Sequence, residues 1–518
     1  MRNLLSILII ISIISCNQET DKRDLKKITV TTSSEEARDF FFTSLFQIEQ
    51  GENIEAQENL KKALRLDPKF HIAKIYSNIN QPQNTIDAFK NREDVSNIEK
   101  YIIEAFYYAR NQQYDRAYDA AVNLTEQFPD ISRCWSISAE IKSITGDFYE
   151  SIEDSNEAIR LDPNNFSAYL NLLTKHVIFG NGEGLLPPEE RDLNKAEEYI
   201  KIMRSIRPDS PFSYMLSGNF SRRINKLEEA YEFYKQSKEV NKSGNSMLLQ
   251  SNHYMALTNT FLEKYDEAED LFRENISLSD DGSFWLSYQA LFIAKMNTFR
   301  NDFDQAIEVL DQLERDLPNF GYSQQQILNN QVNIGICKFL NFSHSQQERD
   351  ATESIEYVKN KLIEVIDLNK SNFTKSEYNK RIRDVERDIL IMKTWNDILF
   401  GRYDEARIKL TNVKQFAEED SKSNPRSFHD YYAFMGMIDL NEGNFNDAIK
   451  NFESTDNTVT AGLYINRVCV TYFEYFYALA LKGSGDIQKA NSILERLANT
   501  NFYGYDNALV RSLASSQL

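Results

Sequence analysis

The stretch "TGDFYESIEDSNEAIRLDPNN" (residues 145–165) decides how the chain is read. Gly146 stands where a helix would end, because glycine enters the left-handed conformation that other residues resist. Phe148, Ile152, Ser155 and Ile159 then follow at the i, i+4, i+7, i+11 spacing of one helical face. Pro163 stops that helix, since its ring blocks the next intrahelical hydrogen bond. Upstream, Trp135, Ser138, Ala139 and Lys142 also share helical spacing, and the small Ser138-Ala139 pair lets another helix approach closely. The glycine therefore reads as the turn of a helical hairpin, not as a loop that carries chemistry.

The same grammar recurs. "QGENIEAQENLKKALRLDPKF" (50–70) holds Gly51, Ala56, Ala63 and Asp67-Pro68. "FGRYDEARIKL" (400–410) holds Gly401, Tyr403, Ala406 and Leu410, and "NEGNFNDAIKNF" (441–452) holds Gly443, Phe445, Ala448 and Phe452. The small residue of the second helix falls at Ala117, Ser151, Ala196 and Ala230; the outer two intervals are 34 residues and the middle one is 45, which is 34 plus 11 residues around "GNGEGLLPPEER" (180–191). Ala268 and Ala306 each follow their predecessor by 38 residues, and Ala406, Ala448 and Ala490 lie 42 apart.

A 34-residue unit with small and aromatic residues in these places resembles the tetratricopeptide repeat, a pair of antiparallel helices. The resemblance implies an all-α helical-repeat solenoid, a superhelix of stacked pairs with a concave groove. Each pair buries its face only against the next, so stability comes from stacking. The expected units are 37–70, 98–131, 132–165, 166–210, 211–244, 249–282, 287–320, 387–420, 429–462 and 471–504, with a shortened pair around "TIDAFKNRED" (85–94). Residues 37–320 read as an N-terminal array and 387–518 as a C-terminal array. Residues 321–386 read as an irregular helical segment, where the solenoid is expected to bend.

The N-terminus has a different character. "MRNLLSILIIISIISC" (1–16) sets Arg2 before an apolar run from Leu4 to Ser15, too short to span a bilayer, which needs about 20 residues. It reads as an export signal over residues 1–15. Its end, Ile13-Ile14-Ser15-Cys16, resembles the lipobox of bacterial lipoproteins, and the resemblance implies lipid modification of Cys16. Asn17 after that cysteine implies, by the same analogy, an outer-membrane lipoprotein of the bacterial cell envelope. Residues 16–36 are polar, with Ile28 and Val30 as their large apolar residues, and read as a lipidated N-terminus and flexible tether.

The formal charge of −19 argues against nucleic acid, whose phosphates need Lys and Arg. Cys134, Cys337 and Cys469 are widely spaced and read as buried thiols rather than a disulfide framework. The histidines, His71, His176, His253, His344 and His429, show no i, i+4 pair with a glutamate between them, and read as surface or groove side chains rather than metal ligands. No Gly-x-Ser-x-Gly elbow appears. The Gly-rich string at 180–184 lacks the Gly-Lys-Ser/Thr of a phosphate-binding loop. No catalytic set, metal site or cofactor motif is read from the chain.

If the repeat register holds, first helices point Phe212, Asn219, Arg222, Arg223, His253, Tyr254, Tyr288, Phe292 and Lys295 toward the groove. Aromatics interleaved with Arg and Asn suit a protein or peptide partner, combining apolar anchors with donors for backbone carbonyls. Two functions follow. The first is a non-catalytic, membrane-anchored scaffold that binds other envelope proteins or peptides. The second is an outer-membrane lipoprotein that captures a solute or glycan beside a transporter, on a scaffold similar to the starch-utilisation-type glycan binders. The regularity of the repeats favours the first.

Overall fold

A computed structural model describes residues 28–77, 82–180, 184–241, 245–421, 427–455, 470–499 and 505–518. The expected leader, Cys16, Cys469 and residues 181–183 of the Gly-rich string lie outside them. Among the described residues the regular elements are all helical. By internal packing the chain divides into two compact units, with the division after Met255.

The first unit pairs α1 (Glu35–Glu49) with α2 (Asn53–Leu66), α3 (His71–Tyr76) with α4 (Pro82–Lys90) and α5 (Asn97–Arg110) with α6 (Tyr114–Gln127). It continues with α7 (Ser132–Thr145) and α8 (Phe148–Leu161), α9 (Phe166–His176) and α10 (Leu193–Ile206), α11 (Pro211–Arg223) and α12 (Leu227–Val240), and reaches into α13 (Asn245–Phe261). The second unit holds α14 (Tyr265–Ser277), then the pairs α15 (Phe284–Phe299) with α16 (Phe303–Asp316) and α17 (Gln324–His344) with α18 (Glu348–Leu368). It ends with α19 (Lys375–Leu399) and α20 (Tyr403–Asp420), α21 (His429–Asn441) and α22 (Phe445–Glu453), α23 (Val470–Ser484) and α24 (Ile487–Ala498), and the unpaired α25 (Tyr505–Ser515).

The small residues that set the period are the points of closest helix approach. Ala117, Ser151, Ala196, Ala230, Ala268, Ala306, Ala406, Ala448 and Ala490 are all 0% exposed, and Ala56 and Ala351 join them. In the α7–α8 pair, Ser151 Oγ donates to the Ala139 carbonyl (2.7 Å) and Ser132 Oγ to that of Ala158 (2.8 Å). The deepest stripe of α8 is Ser151, Asp154, Ser155 and Ala158, while Phe148, Ile152 and Ile159 sit half-buried beside it. Gly146 ends α7 at φ 99°, and both its N–H and that of Asp147 return to the Lys142 carbonyl.

The turn inside other pairs repeats that left-handed residue, with or without glycine. Gln112, Asn225, Glu263, Asn301 and Gln346 hold φ between 57° and 62° at the corresponding place. A chiral residue there costs roughly 1 kcal/mol, and helix stacking on both sides enforces it.

Three expectations change. Residues 28–34 are docked rather than loose: Ile28 and Val30 are buried, Thr31 donates its N–H to Glu99 (2.9 Å), and Thr32 Oγ1 and the Ser33 N–H both reach Asp67 (2.6 and 3.0 Å). Two apolar side chains suffice because two carboxylates satisfy the strap's polar groups. Residues 321–386, read as an irregular helical segment, hold a helix pair of regular geometry, α17 and α18, with 21 residues each. Their extra turns displace the period. The histidines are packed inside helices: His71, His176, His253 and His429 are buried, and His344 Nε2 lies 3.0 Å from the Tyr472 hydroxyl.

The insertion after α9 folds back on that helix. Leu185 and Leu186 donate their N–H groups to the Thr174 and Lys175 carbonyls (3.0 and 3.1 Å), which supplies partners to the helix end. Gly184 is required there, because a Cβ would collide with the backbone of Lys175 and His176.

Candidate functional site

Within the first unit, the turn between α1 and α2 meets the starts of first helices from four later pairs. Glu49 is the centre of that meeting. Ser167 Oγ donates to its Oε1 (2.7 Å), Arg207 Nη2 to its Oε2 (2.9 Å), and the Arg133 guanidinium also contacts Oε1. Arg133 in turn donates to Ser167 Oγ (2.7 Å). The Arg207 guanidinium lies over the Phe166 ring at 4.5 Å and the Phe46 ring at 5.1 Å. Beside this cluster the Ser246 N–H reaches Glu55 at 3.3 Å, and Gly51 packs against Phe212 and Met247 so closely that a Cβ would lie 3.0 Å from the Phe212 ring.

The charges here are removed from water: the Glu49 and Arg207 side chains are 9% and 5% exposed. Burial alone would raise the Glu49 carboxyl, but Arg133 and Arg207, with hydrogen bonds from Arg207 and Ser167, outweigh it and hold it below its ordinary value. Glu140 points to the same interior and is open to solvent, yet crowding by surrounding protein raises its carboxyl against the pull of Arg133 and Arg110. Tyr76, half-buried next to Arg133, has its hydroxyl pushed up to about 12 by the surrounding protein.

The residues expected to line a groove divide into two kinds. Phe212, Asn219, Arg222, His253 and Phe292 are buried, and Arg223, Tyr254, Tyr288 and Lys295 are half-buried. Asn219 accepts from the Tyr234 hydroxyl (2.8 Å) and donates to the Phe179 carbonyl (2.8 Å), while Arg222 Nε reaches Tyr234 at 3.3 Å and its guanidinium covers the Tyr254 ring. These contacts join α11, α12, α13 and the insertion. In the second unit Tyr288 packs on Phe292 (4.9 Å) and Lys295 Nζ sits 4.3 Å from the centre of the Phe292 ring.

Also in the second unit, α25 returns to the starting helices. Arg511 lies against the rings of Phe261 (5.3 Å) and Phe299 (5.9 Å), Ser512 accepts from Asn301 Nδ2 (3.1 Å), and Leu509, Val510 and Ala514 are buried. Each unit thus carries one of its own segments across the ends of its first helices.

Perturbed groups elsewhere do not converge on a reaction centre. Burial pulls the Lys175 ammonium down to about 7, with Ser143 Oγ (2.5 Å) and Asn171 Oδ1 (2.6 Å) as acceptors. Burial, then the nearby Asp388, pushes Asp430 up to about 7. The two lie in different units. Among the described residues no group of three or more His, Cys, Asp or Glu side chains is placed to hold a metal ion. Cys134 and Cys337 are buried and outside any disulfide.

The α7–α8 hairpin, with its small-residue seam and left-handed glycine, decides the comparison. Residues 132–165 match the tetratricopeptide repeat family. The other pairs repeat that hairpin's construction, so the fold is an all-α tetratricopeptide-type solenoid. Tetratricopeptide repeats generally mediate protein–protein contacts, and their fold is typically a non-catalytic scaffold. No curated protein matches the chain.

Proposed function

We propose that this chain is a non-catalytic tetratricopeptide scaffold, tethered to a bacterial envelope membrane by lipid on Cys16, that gathers other envelope proteins or peptides on the faces of its first helices. The stack of tetratricopeptide-type pairs carries the scaffold reading, since such pairs present successive first helices side by side as one extended surface. The apolar run ending at Ile13-Ile14-Ser15-Cys16 supports the tether. Of the residues read as groove-facing, Arg223 in the first unit and Tyr288 and Lys295 in the second are the proposed contact points, because they keep solvent access.

Two measurements test this. Membrane fractionation of the full-length chain against Cys16→Ser reads the tether: the native chain sediments with membranes and the variant does not, whereas equal distribution refutes lipidation at Cys16. A gentle-detergent pull-down from the native envelope, read by mass spectrometry, tests the scaffold. Enrichment of defined envelope proteins that is lost in a combined Tyr288→Ala, Lys295→Ala variant supports it, and a stoichiometric barrel transporter with bound glycan would replace it by solute capture.

A further inference from the structure

The turn that joins α18 to α19 differs in charge from the chain that carries it. Residues 368–383, "LNKSNFTKSEYNKRIR", hold five basic side chains, Lys370, Lys375, Lys380, Arg381 and Arg383, and one acidic one, Glu377, in a chain whose formal charge is −19. Helix length lifts this stretch clear of its neighbours. Arg383 pairs with Glu419 (2.7 Å) and Asp420 (3.0 Å) at the end of α20, so residues 375–382 of α19 run past that helix. On the other side Asn369 Nδ2 contacts Gln325 in the first turn of α17, where Gln324, Gln325 and Gln326 bear no charge. Asp367 and Glu377 flank the turn but are engaged in building it: Asp367 accepts from the Tyr378 hydroxyl (2.9 Å) and Glu377 from the Thr374 N–H (2.8 Å). The cations face water instead. Lys370, Lys375, Lys380 and Arg381 are all exposed, and Lys380 reaches Asp384 only at 3.5 Å. Lys370 Nζ lies 4.8 Å from the centre of the Tyr378 ring and the Arg381 guanidinium 4.3 Å from that of Phe373. Leu368, the last residue of α18, opens the same turn with 47% of its surface exposed.

We infer that the α18–α19 tip docks on an anionic phospholipid surface, with its lysines among the headgroups and Leu368 at the acyl boundary. Cations near such a surface gain from its negative potential, and an exposed leucine beside ring-borne cations suits the interface between water and hydrocarbon. A projecting tip sinks into a yielding surface, whereas a folded acidic partner would have to supply a matching hollow. The acidic body is repelled by the same surface, but at physiological ionic strength that repulsion falls away within about 8 Å. Contact is thereby limited to the tip, which sets how the second unit faces the bilayer. This docking does not rest on lipid at Cys16, and it uses none of the residues assigned to partner contact.

The test uses the full chain carrying Cys16→Ser, so that acylation plays no part, and co-sedimentation with vesicles of phosphatidylcholine containing about one third phosphatidylglycerol. Partition is read as a ratio to that into pure phosphatidylcholine vesicles, which cancels any contribution of the apolar leader. The expected ratio is on the order of a hundredfold, and Lys370→Gln, Lys375→Gln and Lys380→Gln together should remove most of it, at roughly fivefold per lysine. Leu368→Asn should lower partition into the anionic vesicles about threefold. Circular dichroism reads folding, and Lys375→Gln alone, with its fivefold loss, is read if the triple variant does not fold. Equal partition into both kinds of vesicle, or a ratio unchanged by the lysine variants, overturns the proposal. Equal partition with capture of fluorescein-labelled decaglutamate that the triple variant loses would also overturn it and assign the tip to an acidic protein. High salt strips an electrostatic contact but leaves an acyl anchor, so the Cys16→Ser fractionation is read after a salt wash, and either result can fail without the other.

Discussion

Glu49 and Arg207 stand 158 residues apart in sequence and 2.9 Å apart in space, and together they close the first unit upon itself. Repeat proteins are held mainly by contacts between neighbours, so unfolding can begin at an end and travel. A long-range buried ion pair couples the first hairpin to the fourth, fifth and sixth pairs and makes that half of the chain more cooperative. Glu49→Ala should destabilise the first unit by about 3–5 kcal/mol in urea unfolding, because it leaves Arg133 and Arg207 buried without their carboxylate. Adding Arg207→Met should recover part of the loss, and strictly additive effects would show that the pair is not coupled.

The same pair sets an acid limit. The Glu49 carboxyl is held below its ordinary 4.5, so its contribution is complete above that value and disappears as pH falls through the lower folded value. Hydrogen exchange of residues 44–60 should accelerate below about pH 4.5 in the native chain, while Glu49→Gln should exchange rapidly at neutral pH already.

Lys175 predicts a slope of the same sign in an alkaline window, but from a group that destabilises the fold. Its ammonium is pulled from 10.5 down to about 7 by burial, so the folded state disfavours the protonated form. The penalty is absent above 10.5, grows as pH falls to about 7, and is constant below. Lys175→Met should stabilise the first unit near pH 6 by up to about 4 kcal/mol, less the lost hydrogen bonds to Ser143 and Asn171, with the gain shrinking toward pH 10. A pH-independent difference between the two proteins would contradict a buried ammonium.

Gly335 faces Val358 and Tyr357 where α17 crosses α18, and a methyl group there would lie 2.7 Å from the valine Cγ2. Gly335→Ala should lower the thermal midpoint of the second unit by an amount corresponding to roughly 1–3 kcal/mol. Trimming the neighbour, as Val358→Ala, should partly suppress it.

At the turn after α13, Glu263 holds φ 60° without being glycine. Glu263→Gly should raise stability by about 1 kcal/mol in chemical denaturation, and a loss would mean that the glutamate side chain has a role its backbone conceals.

That turn also shows what could be read from the chain in advance. Ala117, Ser151, Ala230 and Ala406 announce the fold because a close helix crossing tolerates only small side chains, a strictly local demand. Glycine marks the turn at Gly146, Gly401 and Gly443, but Gln112, Glu263 and Gln346 adopt the same conformation under pressure from the packed helices, so composition hides half the signal. The α17–α18 pair escaped the period because its helices run to 21 residues rather than the 14 of α7 and α8. The Glu49 cluster was out of reach altogether. One glutamate among 78 acidic residues has no local mark, and its importance arises only when helices far along the chain are brought to it. Phe212, Asn219, Arg222, His253 and Phe292 are buried, which side-chain type on a first helix does not reveal.

The closing of the second unit by α25 has a consequence for the order in which the protein is made. Arg511, seated against Phe261 and Phe299, is synthesised 250 and 212 residues after the two rings it covers. The first unit can complete its own closure as soon as residue 255 or so has emerged, but the second must wait for α25. A product truncated before α25 therefore keeps a finished first unit and exposes apolar rings in the second. A quality-control protease that recognises exposed apolar surface can tell a chain that lacks α25 from one that carries it by that single helix.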